Sequence, residues 1–310
     1  MAPSTQPFLP RASVFHLCFI RGSLSLALLG CLTALARASE PDDWLCACEA
    51  PGTLFRWSYG DTTGGPPGPD EPLASDRPDF TEASSTVGRG VIQLEMGYTY
   101  ISDDDGPNHT HNHSYPELLA RFGLLAEWLE FRIAYNHASS VEDFDQLPLN
   151  NFSGGEDLYL GFKVMLTPQE GILPEMSIMP QWTVPTGADA FTADIVLPGV
   201  SWLYGWDIND FLSTAGSTQV NKAVDDLDEI YYELAQTWTI GYTFTEHWGG
   251  YTEWFVFVPS GSDVARTQHY FNGGFIFPVT NNLQFDVRAG VGLSDASDDF
   301  FAGAGMAVRL

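Results

Sequence analysis

Basic residues are scarce in this chain. Its 13 Lys and Arg stand against 40 Asp and Glu, a formal net charge of −27. Binding nucleic acid needs clustered cations, so that class of partner is excluded. The acidic excess would draw divalent cations to the loops instead. Long apolar runs are also missing. Beyond the N-terminus no stretch nears the ~20 residues that a spanning helix needs, so any membrane crossing must use strands. No Gly-x-Ser-x-Gly, phosphate-binding loop or His-Glu-x-x-His is present, and no cofactor motif stands in their place. Cysteines number only 4. Cys18 and Cys31 fall in the N-terminal apolar region. Cys46 and Cys48 read either as a redox or metal pair or as part of an exported tail with a strained or intermolecular disulfide; a metal site wants more ligands nearby.

The N-terminus has the layout of a secretory signal. Arg11 and Arg21 supply positive charge, Leu24 to Ala36 form the apolar core, and Ala36-Arg37-Ala38 offers a small-residue cleavage site. A rival lipoprotein-type site at Leu28-Leu29-Gly30-Cys31 would leave an apolar run on the mature chain. The expected division is a signal peptide at 1–38, a flexible periplasmic lead at 39–75 and one barrel at 76–310. The lead carries six prolines between Pro41 and Pro72 and the Gly64-Gly65 pair, a linker composition. It either tucks into the barrel lumen as a plug, its acids meeting lumenal arginines, or remains a strapped-down or disordered tail.

What the chain has in quantity is alternation. Ile92, Leu94, Met96, Tyr98 and Tyr100 share one parity, with Gln93, Glu95, Gly97 and Thr99 on the other. A period of two is a strand with one apolar face. The pattern recurs at 117–124, 129–136, 158–166, 200–206, 231–242, 248–258, 268–279, 283–293 and 300–310. Glu175 to Val184 is a strand weakened by Pro180, and Phe211 to Val220 is the poorest. Polar loops are expected at 102–114, 138–156 and 221–228. The total is about twelve strands of near membrane-spanning length. The expected fold is therefore all-β, an antiparallel transmembrane β-barrel in the outer membrane of a Gram-negative-type envelope. Its polar parity, rich in Gly, Thr and Gln, is thin cover against water and suits a narrow lumen. Tyr98, Tyr100, Trp128, Trp206 and Trp248 fit interfacial girdles. A soluble barrel with its core on the apolar parity would give the same strand patterns singly.

The run Asp76-Arg77-Pro78-Asp79-Phe80-Thr81-Glu82, followed by Gln93-Leu94-Glu95-Met96-Gly97-Tyr98, resembles the opening of the family described as "Putative MetA-pathway of phenol degradation". Glu117-Leu118-Leu119, Glu130-Phe131-Arg132, Pro185-Thr186-Gly187 and Phe271 to Leu293 are similar too. The resemblance spans roughly 76–310. It implies an outer-membrane barrel transporter and, as solutes, aromatic or other hydrophobic compounds.

Strand parity places Glu95, Arg121, Glu130, Arg132, Lys163, Glu233, Glu253, Asp286, Arg288 and Arg309 on the lumen side. They form either a charged constriction that selects solutes or ion pairs that brace the interior. Phe255, Phe257 and Tyr159 are further inward candidates. His109, His111 and His113, near Asp103 to Asp105, are a candidate metal loop without preorganisation. His137 beside Ser139 and Ser140 is the one arrangement resembling a lipase pair, and it lacks an orienting third residue. The expected activity is non-enzymatic: passive passage of small molecules through a barrel set in outer-membrane lipid. The alternatives are a non-transporting barrel that binds or anchors at the surface, or an outer-membrane lipase.

Overall fold

The structure is a computed structural model that describes residues 51–55, 61–145, 147–225 and 227–310. The expected signal segment 1–38 with its two candidate cleavage sites, Cys46, Cys48 and the stretches 39–50 and 56–60 of the expected lead lie outside the described residues.

Thirteen strands form one antiparallel sheet. In chain order they are β1 (Ile92–Asp105), β2 (Asn108–Gly123), β3 (Leu129–Phe144), β4 (Leu147–Gly155), β5 (Leu158–Thr167), β6 (Glu175–Val184), β7 (Leu197–Asp207), β8 (Leu212–Val224), β9 (Ile230–Thr245), β10 (Trp248–Ser260), β11 (Gln268–Thr280), β12 (Leu283–Gly292) and β13 (Phe300–Arg309). Every strand pairs with its sequence neighbour except at β4. There, β4 and β5 take successive parts of β3, His137 opposite Gly155 and then Ala134 opposite Tyr159. They are one stave interrupted at Glu156 and Asp157, and the ring has 12 strands. The interruption has a cause: the Asp157 carboxylate accepts the amides of Thr186, Gly187 and Ala193, tying the β6–β7 loop over this stave. The first strand closes the ring on the last, with Leu94 opposite Val308 and Met96 opposite Met306. No sheet edge is left for lipid to meet.

The facing pattern separates a membrane barrel from a soluble one. On β12, Phe285 is 45% exposed, and its neighbour Asp286 is 1% exposed. The same inversion runs round the ring, with Trp202, Trp238, Phe271 and Val287 outside and Gln93, Ser201, Thr237 and Asn272 inside. Apolar side chains outside and charges within are stable only where the exterior solvent is hydrocarbon. Pro180 is accommodated in β6 because the β5 ladder skips it, pairing Gly161 with Gln181 and next Val164 with Ile178. The poorest strand by sequence is a complete β8, laddered to both β7 and β9.

Three expected loops are corrected. Residues 102–105 and 108–114 extend β1 and β2, residues 138–144 and 147–155 extend β3 and form β4, and 221–224 extend β8. Backbone pairing continues past the lipid boundary, whereas the need for apolar outward side chains stops there.

Candidate functional site

The lumen is occupied by the chain's own N-terminal segment. Residues 61–91 run in from the side where β1 begins, and their contacts reach strands right round the ring. Ser75 and Asp76 bond Glu95 on β1. Thr81 bonds Thr237 on β9 and Glu253 on β10. Ser84 bonds Glu175 on β6, and Val87 bonds Glu130 on β3. The segment is a plug.

On β1, β2, β3 and β5 the wall is ionic. Arg121 lies directly opposite Arg132, and Glu130 opposite Lys163. Two facing guanidinium groups repel unless carboxylates separate them. Arg121 donates to Glu130 at 2.8 Å and to Glu95 at 3.1 Å. The plug completes the balance: Asp76 takes Arg132 at 2.5 Å and Lys163 at 3.2 Å, and Glu82 takes Arg132 at 2.9 Å. Arg121, Arg132, Lys163, Glu95 and Glu130 are all buried, so the cluster is dry and its members depend on one another. Burial pushes the Asp76 carboxyl up; the cations of Arg121, Arg132 and Lys163, with the Ala83 amide, outweigh that and hold it well below the usual range.

A second clasp joins the plug to the closing seam. Arg77 reaches Glu117 on β2 at 2.7 Å and Asp286 on β12 at 3.3 Å. Arg288 donates to the Pro78 carbonyl at 2.9 Å and to Thr99 at 2.8 Å. Arg309 donates to the carbonyls of Gly68 and Glu71, and its Nε to Asn282. Deeper in, Glu253 accepts the amides of Phe80 and Thr81 and the Asn272 side chain. Phe80 stacks on Phe255 with ring centres 4.8 Å apart and meets Phe257 edge-on. Tyr159 is buried and donates to Gln181. Burial and the neighbouring Glu253 carboxylate push the Asp79 carboxyl up.

Of the lumenal charges expected from parity, Glu95, Arg121, Glu130, Arg132, Lys163, Glu253, Asp286, Arg288 and Arg309 therefore touch the plug or each other. Glu233 sits apart on β9, 3.3 Å from the Tyr231 hydroxyl. Asp76, Arg77 and Glu82 are the residues that sequence reasoning left without a site. Their signal was the dense mix of charge in 76–82 without a period of two.

The wall across the lumen is different. On β6 to β9 the buried residues include Ser177, Ser201, Ser217 and Thr237. A cavity of about 460 Å³ lies between this side and the plug, bounded by Asp79, Thr81, Glu175, Thr239, Tyr251 and Ile276 among others.

Two exterior candidates are resolved by parity. His109, His111 and His113 lie on β2, not on a loop, and each has its own partner: Asp104, Tyr100 and Tyr98. Among the described residues no three His, Cys, Asp or Glu are grouped to hold a metal. His137 points outward and bonds Ser153 at 2.9 Å. Ser140 faces inward and is buried, and Ser139 stands opposite His113 in the ladder. Neither adjacent serine is therefore bonded to this imidazole.

Fold and lumen together define the class: an outer-membrane β-barrel with its N-terminal segment folded inside. Residues 75–310 match the family described as "Putative MetA-pathway of phenol degradation", and the chain belongs to that family. Among solved structures it is similar to an outer-membrane channel from Pseudomonas putida F1, with 12% identity, a TM-score of 0.57, and coverage of 79% of this chain and 99% of that one. It is more distantly similar to the translocator domain of the autotransporter NalP from Neisseria meningitidis, with 10% identity, a TM-score of 0.48, and coverage of 72% and 89%. The first likeness shows the fold. No curated protein matches the sequence.

Proposed function

We propose that this barrel gives passive passage across the outer membrane to small molecules, aromatic or otherwise hydrophobic. The observation that carries this reading is the two-sided lumen. One side of the plug is fastened by buried ion pairs, and the other faces a cavity of about 460 Å³ along a hydroxyl-lined wall. A solute moving along that second side breaks no ion pair. Among the described residues the cavity lining holds no Lys or Arg, and its hydroxyls and carboxyl groups, Asp79, Glu82 and Glu175 among them, suit a solute with an apolar body and one hydrogen-bond-donating group. The family's description and the channel from Pseudomonas putida F1 agree with a transport role. In this reading the charges at Arg77, Glu117, Asp286 and Arg288 set the narrowest part by holding the plug across the lumen.

One observation favours the rival, a barrel that anchors or binds without transporting. The plug is held by hydrogen bonds to at least β1, β3, β6, β9 and β10. Liposome swelling with phenol-sized and sugar-sized solutes separates the two. Uptake of the phenol-sized solute alone is the expected result. Swelling with neither, even after removal of residues 61–89, sinks the transport reading.

A further inference from the structure

The histidines outside the barrel are not absorbed by a transport role. Four of the 7 histidines, His109, His111, His113 and His137, lie on the outward face of β2 and β3. Their surroundings are aromatic. Tyr98 Oη lies 2.8 Å from His113 Nδ1, and Tyr100 Oη lies 2.9 Å from His111 Nδ1. Tyr100 also packs on both rings, and Tyr115 packs on His137 at 5.1 Å. The tyrosine hydroxyls engage Nδ1, and among the described residues no group bonds Nε2 of His111 or His113. His109 is taken by Asp104 at 2.5 Å.

Position identifies what covers this face. Below the histidines the same outward parity carries Leu94 and Met96 on β1, Phe122 on β2 and Phe131 and Ile133 on β3, which belong in hydrocarbon. Aromatic residues with polar tips mark the lipid–water boundary. The histidines stand at and just above that boundary, on the side of the long hairpins, where outer-leaflet headgroups lie. No Lys or Arg projects outward from β1 to β4, because Arg121 and Arg132, the only two on these strands, are buried in the lumen. The imidazoles are the only groups here that can become cationic.

We propose that His111, His113 and His137 form a docking patch for the phosphate of a phosphorylated glycolipid headgroup in the outer leaflet. Imidazole is the side chain that gains a proton between about pH 5 and 8, and hydrogen bonds from imidazolium to phosphate are charge-assisted. Tyrosine and histidine rings would also stack on sugar faces. The groups packed round the three rings are Tyr98, Tyr100 and Ser102 from β1, Tyr115 from β2, Ser139 and Val141 from β3 and Ser153 from β4; the nearest acids, Asp104 and Asp143, lie higher, beside His109. Docking therefore strengthens as pH falls.

The test is native mass spectrometry of the full-length mature barrel with bisphosphorylated lipid A, with its dephosphorylated counterpart and with phosphatidylcholine, at pH 5.5 and 7.5. The expected result is retention of the phosphorylated lipid alone, rising roughly threefold or more at the lower pH. His111→Gln with His113→Gln should remove that rise, and His247→Gln, on the opposite rim, should leave it. Heat-modified migration in electrophoresis reports whether each variant folds. Equal retention of the dephosphorylated lipid, or retention that does not change with pH in the wild-type barrel, overturns the proposal without recourse to any variant.

Discussion

Arg77 and Gly305 share a space that admits only one side chain. A Cβ on Gly305, or on Gly97 across the β1–β13 seam, would run into the Arg77 guanidinium. The guanidinium cannot swing clear, because Glu117 and Asp286 hold both ends of it. The plug is therefore seated by shape as well as by charge. Gly305→Val should push Arg77 out and cost roughly 1–3 kcal/mol, as other overpacking changes do. Planar-bilayer recordings should show higher conductance, and Arg77→Ala in the same chain should relieve the steric part of the cost. Unchanged conductance and melting in Gly305→Val would refute the seating.

Asp76 should be the single most costly plug residue to neutralise. Asp76→Asn leaves Arg121, Arg132 and Lys163 with one carboxylate fewer in a dry cluster. Breaking a buried ionic group costs about 3–5 kcal/mol. The midpoint of heat-modified migration should fall markedly. Because the folded-state carboxyl is held below its ordinary value, this contribution is present above that value and is lost only as pH falls through the lower one. A plug that released in mildly acidic buffer would contradict the assignment.

Arg288 and Arg132 should behave differently, although both came from the same parity argument. Arg288 is partly exposed and holds the Pro78 carbonyl, so Arg288→Ala should raise conductance with little loss of stability. Arg132 is buried between Asp76 and Glu82, so Arg132→Ala should lower stability first. Paired conductance and unfolding measurements on the two variants decide. A common phenotype would mean that the two sides of the plug are not independent.

The β12–β13 loop carries a pH response of opposite sign. Burial pushes the Asp298 carboxyl from 3.8 up to about 6, beside the Tyr270 hydroxyl at 3.0 Å. A raised carboxyl stabilises the fold below its ordinary value, and that stability drains away as pH rises through about 6. Asp298→Asn should flatten the dependence of stability on pH between 4 and 6 and raise stability at neutral pH by on the order of 2 kcal/mol, read as a higher melting temperature. A variant with the wild-type profile would rule this out.

Legibility in the sequence followed the solvent. Where lipid touches the wall, as along Leu283 to Val291, alternation exposes both the strand and its facing. Where the same strands rise into water, as at 108–114 and 147–155, outward residues need not be apolar and the period fades although pairing continues. Parity assigned Arg121, Glu130, Arg132 and Lys163 to one face, and in the ladder Arg121 stands opposite Arg132 and Glu130 opposite Lys163, because β-sheet geometry is local. It could not supply Asp76 or Arg77, whose partners lie up to 209 residues away and whose backbone has no repeating period. The Asp79–Phe80–Thr81 contacts to Glu253 and Phe255 depend on closure of the whole ring, which no local pattern encodes.

Arg309, next to the final residue, bonds Asn282 on the β11–β12 turn and the carbonyls of Gly68 and Glu71. One side chain thus acts as the buckle for hoop and stopper alike. Removing the Arg309 side chain would loosen both at once, so for this chain a slack seam and a leaky interior are a single defect.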